Sequence, residues 1–149
     1  MYELRLATKD DYDFLRQLNE ITMKDYIVET YGYWDVEVEE KYFNESFASF
    51  TYQIILIDGT DAGCLAIAET GTEIFISEIQ ILPQFQHRGI GRAIFKNLVE
   101  ESARLQLPLN LEVLKVNQFA REFYRKIGFV KIGETKTHDR MRRKPHPLN

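Results

Sequence analysis

Apolar positions along the chain change their spacing several times, and each change marks an element. Tyr2, Leu4 and Leu6 alternate with charged residues, which predicts a short opening strand. Thr8 stands as a cap ahead of Lys9-Asp10-Asp11, and Tyr12, Leu15, Leu18 and Ile21 keep helical spacing. The stretch from Tyr26 to Trp34 is rich in aromatics, contains Gly32 and is read as a loop; a second helix fits Asp35 to Phe47. Strand character returns over Tyr52 to Ile57, followed by an Asp58-Gly59 hairpin turn and a return strand over Gly63 to Ala68. Thr70-Gly71 turns into a longer strand from Glu73 to Leu82. Then come a helix from about Gly89 to Arg104, a strand from Leu109 to Leu114, and a helix from Asn117 to Lys126 that Gly128 stops. Phe129 to Glu134 and His138 to Arg143 form a final strand pair, and Lys144 to Asn149 reads as a flexible tail.

The order β-α-α-β-β-β-α-β-α-β-β places antiparallel hairpins on either side of one strand–helix–strand unit. That implies an α/β (α+β) fold: a mixed, mostly antiparallel sheet of about seven strands with helices on both faces. The length of 149 residues suits a single domain spanning 1–149.

The strand–helix–strand unit contains the run Gln86-His87-Arg88-Gly89-Ile90-Gly91-Arg92, entered from Ile81-Leu82-Pro83. Backbone N–H groups at a helix start form an anion site, and glycine lets an anion reach them. Gly89 and Gly91 open the main chain, and Arg88 and Arg92 add charge. A phosphate-bearing ligand is the expectation, beyond the carboxyl end of a sheet strand. No lysine and hydroxyl follow as a P-loop requires, and neither the third small residue nor the second βαβ half of a dinucleotide site is in place.

Charge sharpens the picture. The net charge of −4 divides unevenly: residues 1–86 hold 17 acidic and 5 basic side chains, net −12, and residues 87–149 hold 6 acidic and 14 basic, net +8. The basic part begins at the glycine loop, as a polyanion favours, and the acidic part suits a cationic partner. Nucleic acid, which wants a broad basic face, is not expected. No apolar run approaches membrane-spanning length, and Met-Tyr-Glu-Leu-Arg lacks the charged and apolar regions expected of a signal peptide. Cys64 is the only cysteine, so a reducing, cytoplasmic setting is expected. His138 and His146 share no ligand spacing with Cys64, so no metal site is expected.

Gln86-x-x-Gly89-x-Gly91 after Ile81-Leu82-Pro83 resembles the acyl-CoA motif of the GNAT acetyltransferase superfamily. A second match lies downstream in Leu111-Glu112-Val113, Asn117 and Phe123-Tyr124-x-x-x-Gly128-Phe129. The resemblance implies acetyl-CoA as cosubstrate and transfer of its acetyl group to a primary amine. The main chain of Ile79 and Ile81 then pairs with the pantetheine arm like an added strand. N–H groups across Arg88, Gly89, Ile90, Gly91 and Arg92 hold the pyrophosphate, with Gln86 and His87 flanking. Asn117 contacts the cofactor arm, and Tyr124 lies near the thioester sulfur. In the family, the strand before the glycine loop and the strand after its helix splay apart, and the acetyl group sits in that wedge. A strand edge opened in this way has donors and acceptors that an amide-bearing arm can satisfy.

Acetyl transfer needs a deprotonated amine, a donor for the thioester oxygen and a proton for the leaving thiolate. The oxygen donor is assigned to a main-chain N–H at Ile81 or Leu82, and the acid to Tyr124. Two carboxylates compete as base. Glu112, twelve residues before Tyr124, resembles the acidic residue of ribosomal-protein alanine N-acetyltransferases; Glu78 lies in the strand before the glycine loop, on the face opposite Ile79 and Ile81. Solvent water is the third option. Each residue also has a structural role open to it: Glu112 as an ordinary strand residue, Asn117 as helix cap, Tyr124 as packing, Gly128 as helix stop.

The acceptor is assigned to the aromatic segment, where Glu29, Trp34 and Asp35 receive an ammonium by charge and cation–π contact. A stapled loop is the alternative there. A catalytically silent module of the same fold, binding acetyl-CoA or a protein, is the alternative for the whole chain. Monomer and homodimer both stay open.

Overall fold

The computed structural model describes residues 1–146 and shows the expected order of elements. They are β1 (Tyr2–Leu6), α1 (Tyr12–Tyr31), α2 (Val36–Ser49), β2 (Thr51–Ile57), β3 (Thr60–Glu69), β4 (Ile74–Ile81), α3 (Ile90–Leu105), β5 (Leu109–Leu114), α4 (Gln118–Ile127), β6 (Val130–Glu134) and β7 (His138–Arg143). Short 3-10 turns at Lys9–Asp11 and Pro83–Phe85 precede α1 and the glycine loop. One seven-stranded sheet runs β1-β2-β3-β4-β5-β7-β6. β4 and β5 are parallel, in register Ile74–Leu109 to Ile76–Leu111, whereas β1–β2, β2–β3, β5–β7 and β6–β7 are antiparallel. No helix among the described residues is long and apolar enough to cross a membrane.

Local chemistry explains the boundaries. Thr8 caps the first turn through Asp10 N–H, and Asp11 returns a bond to Thr8 N–H, a reciprocal capping box. Asp58 and Gly59 both have positive φ, 50° and 77°, as a two-residue hairpin turn of the primed kind requires. The segment from Tyr26 is not a loop: α1 continues to Tyr31 and stops at Gly32, whose φ of 89° is left-handed. Aromatic and β-branched residues cost only tenths of a kcal/mol each in a helix, about 0.7 at most, too little to end one that tertiary packing supports.

Packing divides the chain into two compact units, Met1–Ala68 with Ser77–Ile90, and Glu69–Ile76 with the chain from Gly91 onward. In the first, Leu15 and Leu18 of α1 and Phe43 of α2 bury against Tyr52 and Ile54 of β2 and Cys64 and Ala66 of β3. Phe43 meets Tyr12, Phe47 and Tyr52 at ring distances of 5.4, 5.7 and 5.7 Å. In the second, Phe95 of α3 meets Phe123, Tyr124 and Phe129 at 5.7, 5.5 and 6.0 Å. Of the tail, Lys144 and His146 offer carbonyls to the Arg143 guanidinium, and 147–149 lie outside the described residues.

Candidate active site

β4 leaves the sheet through Pro83 into an exposed turn. The Gln86 side chain folds back, its Nε2 donating to the Ile81 carbonyl at 2.8 Å, while its N–H bonds Pro83. His87 and Gly89 take left-handed φ values of 62° and 79°. Nothing lies within 4 Å of the point where a Gly89 side chain would begin. The Arg88 guanidinium lies 5.4 Å from the centre of the Phe85 ring. Gln86, His87, Arg88, Gly89 and Arg92 are exposed, and Ile90 is buried and anchors the turn. Because α3 begins at Ile90, the N–H groups of Gly89, Ile90, Gly91 and Arg92 have no acceptor within that helix.

Of the two proposed oxygen donors, Leu82 is committed elsewhere: its N–H bonds the Ala62 carbonyl at 2.8 Å inside the sheet. That leaves Ile81, which with Ile79 is half-buried in β4.

On β4, Glu78 opens onto a small pocket that it shares with Asn19, Tyr42, Tyr52, Cys64 and Gln80, with room for about one water molecule. Gln80 Nε2 donates to Glu78 Oε2 at 3.1 Å and to Asn19 Oδ1 at 3.0 Å. Burial pushes the Glu78 carboxyl up to about 7; the Gln80 bond opposes the rise, and Glu39 adds to it. The same burial raises the Tyr52 phenol and the Cys64 thiol, so both stay protonated near neutral pH. Tyr52 also shares a 2.7 Å bond with Ser46.

Glu112 sits differently. It is exposed on β5 and pairs with Arg140 of β7 at 3.3 Å. Asn117 caps α4, its Oδ1 accepting from Ala120 N–H at 3.1 Å, which leaves its Nδ2 outside the cap. Tyr124 is half-buried among the rings of Phe95, Phe123 and Phe129. Its carbonyl accepts from Phe129 N–H at 3.0 Å, and Gly128, at φ 108°, makes the left-handed reversal that allows this. The Tyr-x-x-x-Gly-Phe spacing is therefore a helix end that fixes the position of its tyrosine.

Residues 15–129 match the model of the acetyltransferase (GNAT) family. The chain belongs to the GNAT acetyltransferase family.

Solved structures share the fold at low sequence identity. PaiA N-acetyltransferase from Thermoplasma acidophilum, in complex with coenzyme A, is 16% identical with a TM-score of 0.76, over 97% of this chain and 99% of that one. The ribosomal-protein-S18-alanine N-acetyltransferase from Escherichia coli is 17% identical with a TM-score of 0.70, over 100% and 97%. A GNAT family acetyltransferase from Elizabethkingia anophelis with acetyl-CoA bound is 13% identical with a TM-score of 0.66, over 96% and 97%. No curated protein matches in sequence.

Within this GNAT chain the expected acceptor residues are scattered in role. Glu29 is exposed on the last turns of α1, not on a loop. Trp34 is half-buried in the short link between the two helices. Asp35 is the cap of α2, its Oδ1 accepting from Glu37 and Val38 N–H at 2.9 and 3.2 Å. The pocket at Glu78 brings forward three residues that the sequence did not single out, Asn19, Tyr42 and Gln80. One signal for Gln80 is present: Glu78 and Gln80 are polar residues on the face of β4 that otherwise carries Ile74 and Ile76.

Proposed function

We propose that the chain moves an acetyl group from acetyl-CoA to a primary amine by direct attack in a ternary complex, with Glu78 as proton acceptor. The family supports the reaction class. The open glycine turn supports pyrophosphate binding through N–H groups from Arg88 to Arg92. The half-buried stretch of β4 presents the main chain of Ile79 and Ile81 to the pantetheine arm and thioester, with the Ile81 carbonyl also bonded by Gln86. A coenzyme A complex and an acetyl-CoA complex of two proteins with this fold point the same way. Asn117 keeps the cofactor contact that the family resemblance implies, through the Nδ2 that the cap leaves over.

The observation that carries catalysis is the half-buried place of the Glu78 carboxyl in its small pocket, bonded to Gln80, where burial pushes it up to about 7. Such a group is ionised often enough at neutral pH to take a proton, and basic enough to hold it. An alkylammonium, with pKa ~10.4, must lose that proton before its nitrogen can attack. Attack on the thioester carbon moves charge onto oxygen, where the Ile81 N–H serves as donor. Collapse breaks the carbon–sulfur bond, and Tyr124 supplies the proton to the thiolate. Glu112 is the less suited candidate, because its exposed carboxylate is already paired with Arg140. The net charge of −12 over residues 1–86 favours a cationic acceptor, and the lone cysteine favours a reducing compartment such as the cytoplasm.

Two measurements test this. Calorimetry with acetyl-CoA reads the cofactor site, and thiol release across a panel of small amines and peptide N-termini reads turnover. Thiol release that depends on the amine is the expected result. Tight binding with no turnover across the panel makes the chain a silent acetyl-CoA module, and no binding at millimolar cofactor overturns the proposal.

A further inference from the structure

We propose that Gln80 is the positioning residue of this site: its side-chain amide clamps the Glu78 carboxylate against Asn19 of α1, and Gly63 holds it in register. The role rests on Glu78 as the proton acceptor proposed above.

The Gln80 amide has two N–H donors and both are used, on Asn19 Oδ1 at 3.0 Å and Glu78 Oε2 at 3.1 Å. Its oxygen faces the Cys64 thiol, with Sγ at 3.8 Å. A flipped amide would set oxygen against the carboxylate and nitrogen against a protonated thiol, so the network fixes the orientation. Gln80 is only 6% exposed, so water cannot easily replace these partners. An exposed glutamate samples many rotamers; one tied to a buried amide presents its other oxygen, Oε1, in one place.

The backbone enforces the same arrangement. A side chain at Gly63 would begin 2.1 Å from the Gln80 carbonyl oxygen and 3.1 Å from Ile81 Cα. β3 therefore approaches β4 at Gln80 more closely than any other residue type allows, and Cys64, the next residue, lies beneath the amide head. Gly63 does not explain a turn here; it explains contact.

Several ionisable groups surround Glu78. From α2 come Glu39 and Tyr42, from β2 Tyr52, and from β3 Cys64. Glu39 repels the Glu78 charge; burial raises Glu39 itself, and Arg16 of α1 opposes that rise only in part. Tyr52 and Cys64 stay neutral and add no charge, and the Gln80 amide donates to the Glu78 carboxylate at 3.1 Å.

The test titrates the glutamate side-chain carbons of the full chain by 13C NMR, with Glu78→Gln to assign the resonance. In Gln80→Met, which keeps length and apolar bulk but donates nothing, the Glu78 midpoint is expected to rise by about one pH unit. Asn19→Ala, which loosens the clamp from the far side, is expected to move it the same way by less. A midpoint unmoved in both variants, or in Asn19→Ala alone if Gln80→Met does not fold, overturns the proposal. The acid limb of kcat/KM on the best amine of the panel is then compared with the NMR midpoint. A limb that follows the midpoint supports both roles. A midpoint that moves while the limb stays still keeps the clamp and removes Glu78 as the base.

Discussion

Phe129 N–H donates to the Tyr124 carbonyl at 3.0 Å, and the two rings lie 5.7 Å apart. Both contacts depend on Gly128 between them, at φ 108°. A side chain there would begin 3.2 Å from Arg143 Nε, so Gly128→Ala meets strain and a neighbour together. It is expected to cost about 1–2 kcal/mol in thermal unfolding. Because the helix end also sets the place of Tyr124, kcat is expected to fall while the KM for acetyl-CoA changes little. A variant with wild-type kcat would show that this helix end serves stability alone.

Tyr124→Phe removes the phenol and keeps the ring within its aromatic cluster. With Tyr124 as acid, kcat is expected to fall about 10²-fold or more. The loss is expected to shrink with acetyl donors whose leaving thiol has a low pKa, since such a thiolate needs no proton to depart. Equal losses for all donors would move Tyr124 from proton transfer to positioning.

The two carboxylates separate cleanly. Glu78→Gln is expected to lower kcat/KM about 10²–10⁴-fold and to abolish the limb near pH 7, whereas Glu112→Gln leaves both within about threefold of wild type. Glu112 loses only an exposed ion pair with Arg140, worth about 0–1 kcal/mol. The reverse pattern would restore the base role to Glu112.

Much of this architecture is legible in the chain. Alternation places β1 and β2, Asp58-Gly59 closes their hairpin neighbour, and Leu109–Leu114 and His138–Arg143 have the predicted bounds. The glycine turn and the Tyr124 helix end are short-range devices, set by residues within a few positions, and so the sequence displays them. The base pocket is the opposite case. Asn19 and Gln80 lie 61 positions apart, and nothing near either announces the other. Local sequence leaves Ile81 and Leu82 equal as oxygen donors, because it cannot show that Ala62 already accepts from the Leu82 N–H. The last turns of α1 were hidden for a related reason: Tyr26 to Tyr31 carries weak helix formers, and Gly32, rather than the aromatics, ends the helix.

The Glu78 carboxyl also links activity to stability. Its pKa in the folded chain, about 7, lies above the ordinary value of 4.5. Below about pH 4 the group is protonated in both folded and unfolded chains and has no effect on their balance. As pH rises toward 7 the unfolded chain ionises first, and folding loses stability until the folded group ionises as well. Above pH 7 the full cost is present, up to about 3 kcal/mol before allowing for its partial exposure. Glu78→Gln is therefore expected to be more stable than wild type in denaturant melts at pH 8, with the gap closing toward pH 4. A constant gap across that range would mean that the carboxyl is not held above its ordinary value.

Asp11 makes the opposite prediction at the acid end. Arg5 bonds it through both guanidinium nitrogens at 2.8 and 2.9 Å, and Thr8 N–H adds a third bond at 2.9 Å. The Arg5 bonds first, then the Thr8 N–H, hold the carboxyl below its usual range against the effect of burial. Its contribution is complete above about pH 4 and is lost as pH falls through the lower folded value. Asp11→Asn is expected to be less stable than wild type at pH 7, with the two converging in acid.

Gly89 tests the cofactor claim most directly, because its open surroundings separate two effects. At φ 79° with nothing within 4 Å, an alanine meets no neighbour, so its intrinsic penalty is backbone strain of about 1–2 kcal/mol. Its methyl group would stand where a diphosphate must approach the N–H groups of the first helical turn. Gly89→Ala is therefore expected to weaken coenzyme A binding about tenfold or more by calorimetry. Activity with a short acetyl thioester that lacks the nucleotide and diphosphate should stay near wild type, since that donor never reaches the turn. Equal losses with both donors would trace the defect to the fold, and unchanged coenzyme A affinity would place the diphosphate away from residues 88–92.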